Sequence, residues 1–597
     1  MNVCNNSNNN DPEHYWESRR TYMMVLLCQI IGTPVIIGMT NTAIVYGATG
    51  YILAYILTTI IFGIPLLYME FIISQFTARD CIDVWKIYPC VSHIGYIQVF
   101  WQIIVIISNH FFNAFNLHYL LISFESPIPY YTCGHWAKDN CNILVSNYTI
   151  NQDCIRQVDP PKYCGDLYTT FPEYQYWRYR MLGEDKDTFK IAWRVSLASF
   201  LICVITYLTC FKRKRSVKWV IEFFILYPIL GYILLLMGSM LQKGVVEIYQ
   251  ESLDSDFGTF FRMFRLPTLI TQIIFSLGIG SGTTFNLASS SPFRSPCYSN
   301  TVITVAVSAA VSTLAICTTA MMACPYAFTY GIDPDRVMKA QMTLLYEKTP
   351  RFIKEYRTKY FWLVLIFSCH AVLGIGTNLV YVLHLLEMLV ARNPRVARYP
   401  GMATFFGIIM LYLITIPLLG KFGMYLLVGL RRCSSMLGVF FAVIETVVYV
   451  ISYGVDRFSE DVHFMQGLQP NKYTRLSWLV SSVTLSYAFI TEIIHNIIYD
   501  KSASDVGRYV FISTICLIVL IFLLKLLIAA IKGHFRDVFK LDATWGPKSE
   551  VLQRSRAMFT AQAMTKEYLY RQYHLQAGIV ARQKMSNCRT VDREPDV

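Results

Sequence analysis

Charge is what this chain has least of. Asp, Glu, Lys and Arg supply 15% of its 597 residues, where a soluble domain carries about 25%. The signatures of enzyme chemistry are also missing. There is no Walker loop, no nucleophile elbow and no His/Cys set at metal-ligand spacing. The expectation is therefore of a protein that is not an enzyme and holds no resident cofactor. Alternation of polar and apolar residues is absent from the apolar runs, and that excludes a lipid-spanning barrel. The opening MNVCNNSNNNDPEHYWESRR lacks the apolar core of a signal peptide, so the first apolar run is expected to stay as a span.

What the chain does have is hydrocarbon, 54% of residues. Runs of at least about 18 apolar residues recur and read as membrane helices. Twelve spans are predicted, at 22–46, 51–73, 96–124, 190–210, 217–241, 266–292, 298–324, 360–390, 402–419, 422–455, 475–499 and 508–532. The expected fold is an all-α integral membrane protein of twelve transmembrane helices.

Basic residues orient it. Arg19 and Arg20, KRKRSVK at 212–218, the trio Arg392, Arg395 and Arg398, and the basic tail all fall on one side. By the positive-inside rule that side is cytoplasmic, with both termini. This divides the chain into an inner tail at 1–21, spans 1–4 within 22–210, spans 5–10 within 211–455, spans 11 and 12 within 456–532, and an inner tail at 533–597. The net charge of +13 fits contact with anionic lipid and gives no support to nucleic-acid binding. The loop 125–189 is then external, with Cys133, Cys141, Cys154, Cys164 and a glycosylation acceptor at Asn147. Four cysteines allow three pairings. The remaining cysteines read as small hydrophobes.

Two spans are weakened at their middles. In TQIIFSLGIGSGTTFNLASSS (271–291), Gly278, Gly280 and Gly282 interrupt a helix, each at roughly 1 kcal/mol. Span 1 carries Gly32-Thr33-Pro34 and then Gly38, and a mid-helix proline costs about 3 kcal/mol. Alternate glycines fall on different helix faces, unlike the four-residue spacing of close helix packing. Spans 1 and 6 each open a set of five, the pattern of a five-plus-five inverted repeat with helices 1 and 6 unwound mid-membrane around a binding site.

These residues resemble the neurotransmitter:sodium symporter family (solute carrier family 6) over nearly the whole chain. The similarity lies in TQIIFSLGIGSG followed by Cys297-Tyr298, GIPLLYMEFIISQF (63–76), TCGHWAKDNC, PEYQYWRYRML, YGVDRF and WGP. It implies alternating access at the plasma membrane, with sodium- and chloride-coupled uptake of small amines, amino acids or osmolytes, and a Cys133–Cys141 bridge. The implied chloride set is Tyr55, Gln272, Ser276, Ser308 and Ser312, with Ser308 replacing an Asn. The implied sodium ligands are Ser276 and Ser308 with carbonyls near Ile30, and Thr377 with carbonyls near Cys28, Ile31 and Leu373. Val35 and Gly376 stand where the family has oxygen-bearing side chains, which leaves both sets short of the roughly six oxygens a hard cation takes.

The implied substrate pocket is Gly32, Thr33, Asn109, Phe275, Ser276, Gly278 and Thr377. Pro34 lacks an amide for a carboxylate, and Gly32 offers no counter-ion for an amine, so neither a standard α-amino acid nor a monoamine is expected. The family's outer gate pairs Arg with Asp, but here those positions are Gly38 and Leu430, with Arg431 and Arg432 adjacent. The two arginines predict either a positive vestibule that attracts chloride or a carboxylate, or side chains that snorkel to the rim. His110, His118, His370, His384, Glu445 and Glu492 read as structural residues before proton carriers. Two functions follow: secondary active transport of a small organic solute, or a non-transporting regulator or receptor that has lost sodium coupling. A channel is the weaker third, for want of a filter motif.

Overall fold

The computed structural model describes residues 16, 18–141, 170–184, 193–211, 213–245, 265–330, 343–495 and 505–559. Asn147, Cys154, Cys164 and most of both tails lie outside the described residues. Every regular element among the described residues is helical.

Ser18 caps the first helix, its hydroxyl accepting from the Thr21 amide. Helix α1 (Arg19–Ile30) stops at Ile31, and α2 (Thr33–Tyr46) restarts at an angle of 50°. Pro34 sits in the first turn of α2, where a missing N–H removes no helical bond. The proline thus fixes the restart, and the cost of a mid-helix proline disappears.

Among the described residues, ten unbroken helices are long and apolar enough to cross a membrane. They are α3 (Ala48–Thr77), α4 (Ile94–Ile122), α5 (Trp193–Cys210), α6 (Lys214–Met240), α9 (Cys297–Tyr330), α10 (Lys359–Arg392), α11 (Pro400–Thr415), α12 (Lys421–Thr446), α13 (Lys472–Ile494) and α14 (Asp505–Ile531). The sixth expected span is not one helix. It is α7 (Arg265–Leu277) and α8 (Thr283–Ala288), joined by a turn in which Gly278, Gly280 and Gly282 have φ of 69°, 73° and 79°. Such left-handed backbone is open to glycine at little cost. At Gly280 a Cβ would also lie 2.2 Å from the Gly438 carbonyl of α12, so the break is wedged against a neighbouring backbone.

Helix α10 is the most buried of these helices and α14 the least. Leu523, Leu527 and Ile531 of α14 stay exposed, a hydrocarbon face suited to lipid. At one end of the bundle Arg392 grips Asp80 with two nitrogens, at 2.5 and 2.6 Å, and Arg213 pairs with Glu387. The segment after α14 folds back there, placing Trp545 under Arg79. The other end carries the Cys133–Cys141 disulfide and an ion-pair network in which Arg178 meets Glu184 at 2.9 Å and Glu347 at 3.3 Å.

Candidate functional site

Unwound backbone in a membrane needs partners for its freed polar groups. At the α7–α8 break they come from α3 and α4. Glu70 accepts from the Gly280 amide at 2.6 Å, Gln98 donates to the Gly280 carbonyl at 3.0 Å, and Gln102 donates to the Ser281 carbonyl at 2.9 Å. Glu445 of α12 lies against Glu70 and accepts from Gln98 at 3.3 Å. The two breaks are tied to each other by Gln29, whose amide donates to the Thr283 hydroxyl at 2.6 Å.

Beside these breaks lies a cavity of about 930 Å³, mouth included. Six of the seven expected pocket residues line it: Gly32, Asn109, Phe275, Ser276, Gly278 and Thr377. Thr33 does not. Its hydroxyl donates to the His370 carbonyl at 2.8 Å, and the residue lines a second chamber toward the disulfide end. Sequence reasoning missed Gln98, Trp101, Gln102, Tyr381, Ser434 and Ser435 on the wall of the first cavity. A signal was present for α4, because Gln98, Gln102, Asn109, Asn113 and Asn116 recur on one helical face.

The two arginines of α12 separate. Arg431 turns inward and lines both chambers, donating to Asn109 Oδ1 at 2.9 Å, with its guanidinium 4.6 Å from the centre of the Phe112 ring. Arg432 is exposed and lines neither.

The implied sodium positions offer few side-chain oxygens. The Thr377 hydroxyl is 2.9 Å from the Cys28 carbonyl and 3.0 Å from that of Leu373, and a donating hydroxyl keeps its lone pairs. No oxygen comes from Gly376, where a Cβ would lie 2.8 Å from both Cys28 Sγ and Phe224 Cβ. At the other set the Ser276 hydroxyl donates to the Ile273 carbonyl, the Ile30 carbonyl accepts from the Gly32 amide, and Val35 offers hydrocarbon. Ile31 sits at the hinge, its amide on the Leu27 carbonyl.

The expected chloride residues do fit an anion. Tyr55, from α3, has its hydroxyl beside those of Ser276, Ser312 and Thr59. Gln272 Nε2 and Ser308 Oγ are buried polar atoms without a partner. A buried donor left alone costs about 1–3 kcal/mol, and a bound anion would satisfy both together. Two buried histidines are held by hydrogen bonds: His110 bonds Ser199 at 2.9 Å, and His370 bonds Tyr232 at 3.1 Å.

Residues 13–536 match the description of the Sodium:neurotransmitter symporter family. Similar proteins include the sodium-dependent dopamine transporter of Bos taurus, 24% identical over 459 residues, 75% of this chain and 64% of that one. The chain thus spans under two thirds of that relative's length. The sodium- and chloride-dependent creatine transporter 1 of Bos taurus is 24% identical over 84% of this chain and 79% of its own length. The sodium- and chloride-dependent neutral and basic amino acid transporter B(0+) of Mus musculus is 24% identical over 76% and 74%. With a match covering most of its length, this chain belongs to the sodium:neurotransmitter symporter family.

Proposed function

We propose that this chain is a secondary active transporter of a small organic solute at the plasma membrane. Access alternates by rocking of α1–α3 and α7–α9 against the rest of the bundle. The observation that carries this reading is the cavity itself. It lies where both broken helices meet, it has polar groups on an aromatic wall, and two wedged breaks have little use in a scaffold. Both termini are cytoplasmic, and the disulfide end faces outward. Its relatives, the dopamine, creatine and amino acid transporters, carry small solutes by name.

Tyr55, Gln272, Ser276, Ser308 and Ser312 hold chloride in this reading, and the unpartnered donors among them support it. Sodium has fewer side-chain oxygens at its implied positions, where Val35 and Gly376 supply none. Those missing oxygens favour the second reading, a regulator that no longer transports. The test is uptake of labelled amino acids, amines, carboxylates and osmolytes into cells with the protein verified at the surface, varying sodium, chloride and pH separately. Uptake lost without chloride supports the first reading. No uptake of any compound supports the second.

A further inference from the structure

Among the described residues, Arg431 is the one charged residue lining either chamber. No Asp or Glu lines them, and its described partners are the neutral Asn109 amide and the Phe112 ring. The nearby ionisable groups that act on it are the phenols of Tyr346 and Tyr381, both neutral at pH 7. A cation inside a membrane bundle ordinarily meets a carboxylate or a ligand. Here the protein supplies no carboxylate among the described residues.

Other groups on the wall point the same way. Trp101 and Ser108 also line the cavity. The remaining surface is largely apolar, with Ile104, Phe275 and Phe441. The cavity therefore combines one fixed positive charge with hydrocarbon and aromatic walls, and no anionic group among the described residues lines it to receive an ammonium.

We infer that the transported solute is a small monocarboxylate with an apolar body and no cationic amine, and that Arg431 holds its carboxylate. This rests on the transport reading above for the word "transported"; binding at Arg431 does not. A planar guanidinium donates two parallel N–H bonds to a carboxylate, and one nitrogen of Arg431 is already aligned by Asn109. Because Arg431 also separates the two chambers, a carboxylate that takes the guanidinium from Asn109 loosens the tie between α12 and α4. Arg431 is thus the specificity-determining residue and its release is part of passage.

The test uses the full chain in lipid nanodiscs and reads binding by thermal shift and by tryptophan fluorescence. The probes are 3-phenylpropionate, its uncharged amide 3-phenylpropanamide, and phenethylamine, in gluconate buffer and then in chloride. The expected result is that the carboxylate binds at least roughly tenfold more tightly than the amide, with no binding of the amine. Arg431→Gln abolishes the preference. Asn109→Asp abolishes it as well, by giving Arg431 an internal carboxylate that neutralises the site while keeping its shape. Equal binding of acid and amide, failure of the acid to bind, or an Arg431→Gln protein that keeps the preference overturns the inference. So does chloride binding that depends on Arg431 and is not displaced by the acid. Acid binding without uptake would leave Arg431 in place and remove the transport reading.

Discussion

Arg431 Nη2 donates to Asn109 Oδ1 across 2.9 Å, joining α12 to α4 at the wall between the two chambers. Hydrogen bonds to charged groups contribute about 1.5–3 kcal/mol. Asn109→Ala should therefore free the guanidinium and open the passage. With a cysteine placed at Ser435, on the inner chamber's wall, the rate of modification by a membrane-impermeant thiol reagent should rise at least severalfold. An unchanged rate would mean that the bond does not gate the passage.

Thr377 bridges α10 to α1 through the carbonyls of Cys28 and Leu373. Thr377→Val keeps the shape and removes the hydroxyl. A loss of about 1–3 kcal/mol is expected, seen as a lower Tm of the purified protein, equally in sodium and in choline buffer. Destabilisation confined to sodium buffer would instead make the hydroxyl a cation ligand.

Gly280 combines a positive φ of 73° with a Cβ position 2.2 Å from the Gly438 carbonyl. Gly454 has a φ of 96° and open space around it. Gly454→Ala should cost only backbone strain, about 1–2 kcal/mol. Gly280→Ala must also push α12 away and should sharply reduce folded protein at the cell surface. Equal surface yields of the two variants would contradict the wedge.

Glu347, in the segment after residue 343 at the disulfide end, is fully buried. Burial pushes its carboxyl up from 4.5 to about 7, partly offset by Arg178 and by the Thr343 amide. A raised folded value means that stability from this group is complete below about pH 4.5 and is lost as pH rises through about 7. The change is up to about 3 kcal/mol. Limited proteolysis of 343–353 should accelerate between pH 5.5 and 8, and Glu347→Gln should flatten that dependence.

How far the sequence spoke depended on whether a feature is local. Gly278, Gly280 and Gly282 announced the break because left-handed backbone is a property of those residues alone. Pro34 announced an interruption but not that it would sit harmlessly in a first turn. Arg431 and Arg432 could not be told apart, because neighbours on a helix point about 100° apart and only the position of α4 decides which faces the cavity. The same holds for Thr33, whose hydroxyl is taken up by His370 of α10. Gln98 and Gln102 were visible as a polar stripe, yet their role as partners for Gly280 and Ser281 depends on where α7 breaks. Of the twelve expected spans, the described residues give ten long apolar helices and, with the bent α1–α2 pair, eleven; the sixth is the short helices α7 and α8.

The account stands or falls on passage through the cavity at the two breaks. The most direct measurement is uptake of a labelled solute panel, comparing the unaltered chain with Ser435→Trp, which fills the inner chamber, at matched surface levels. Accumulation of at least one solute by the unaltered chain, abolished in Ser435→Trp, is the predicted result. Accumulation equal in both, or none in either, would contradict it.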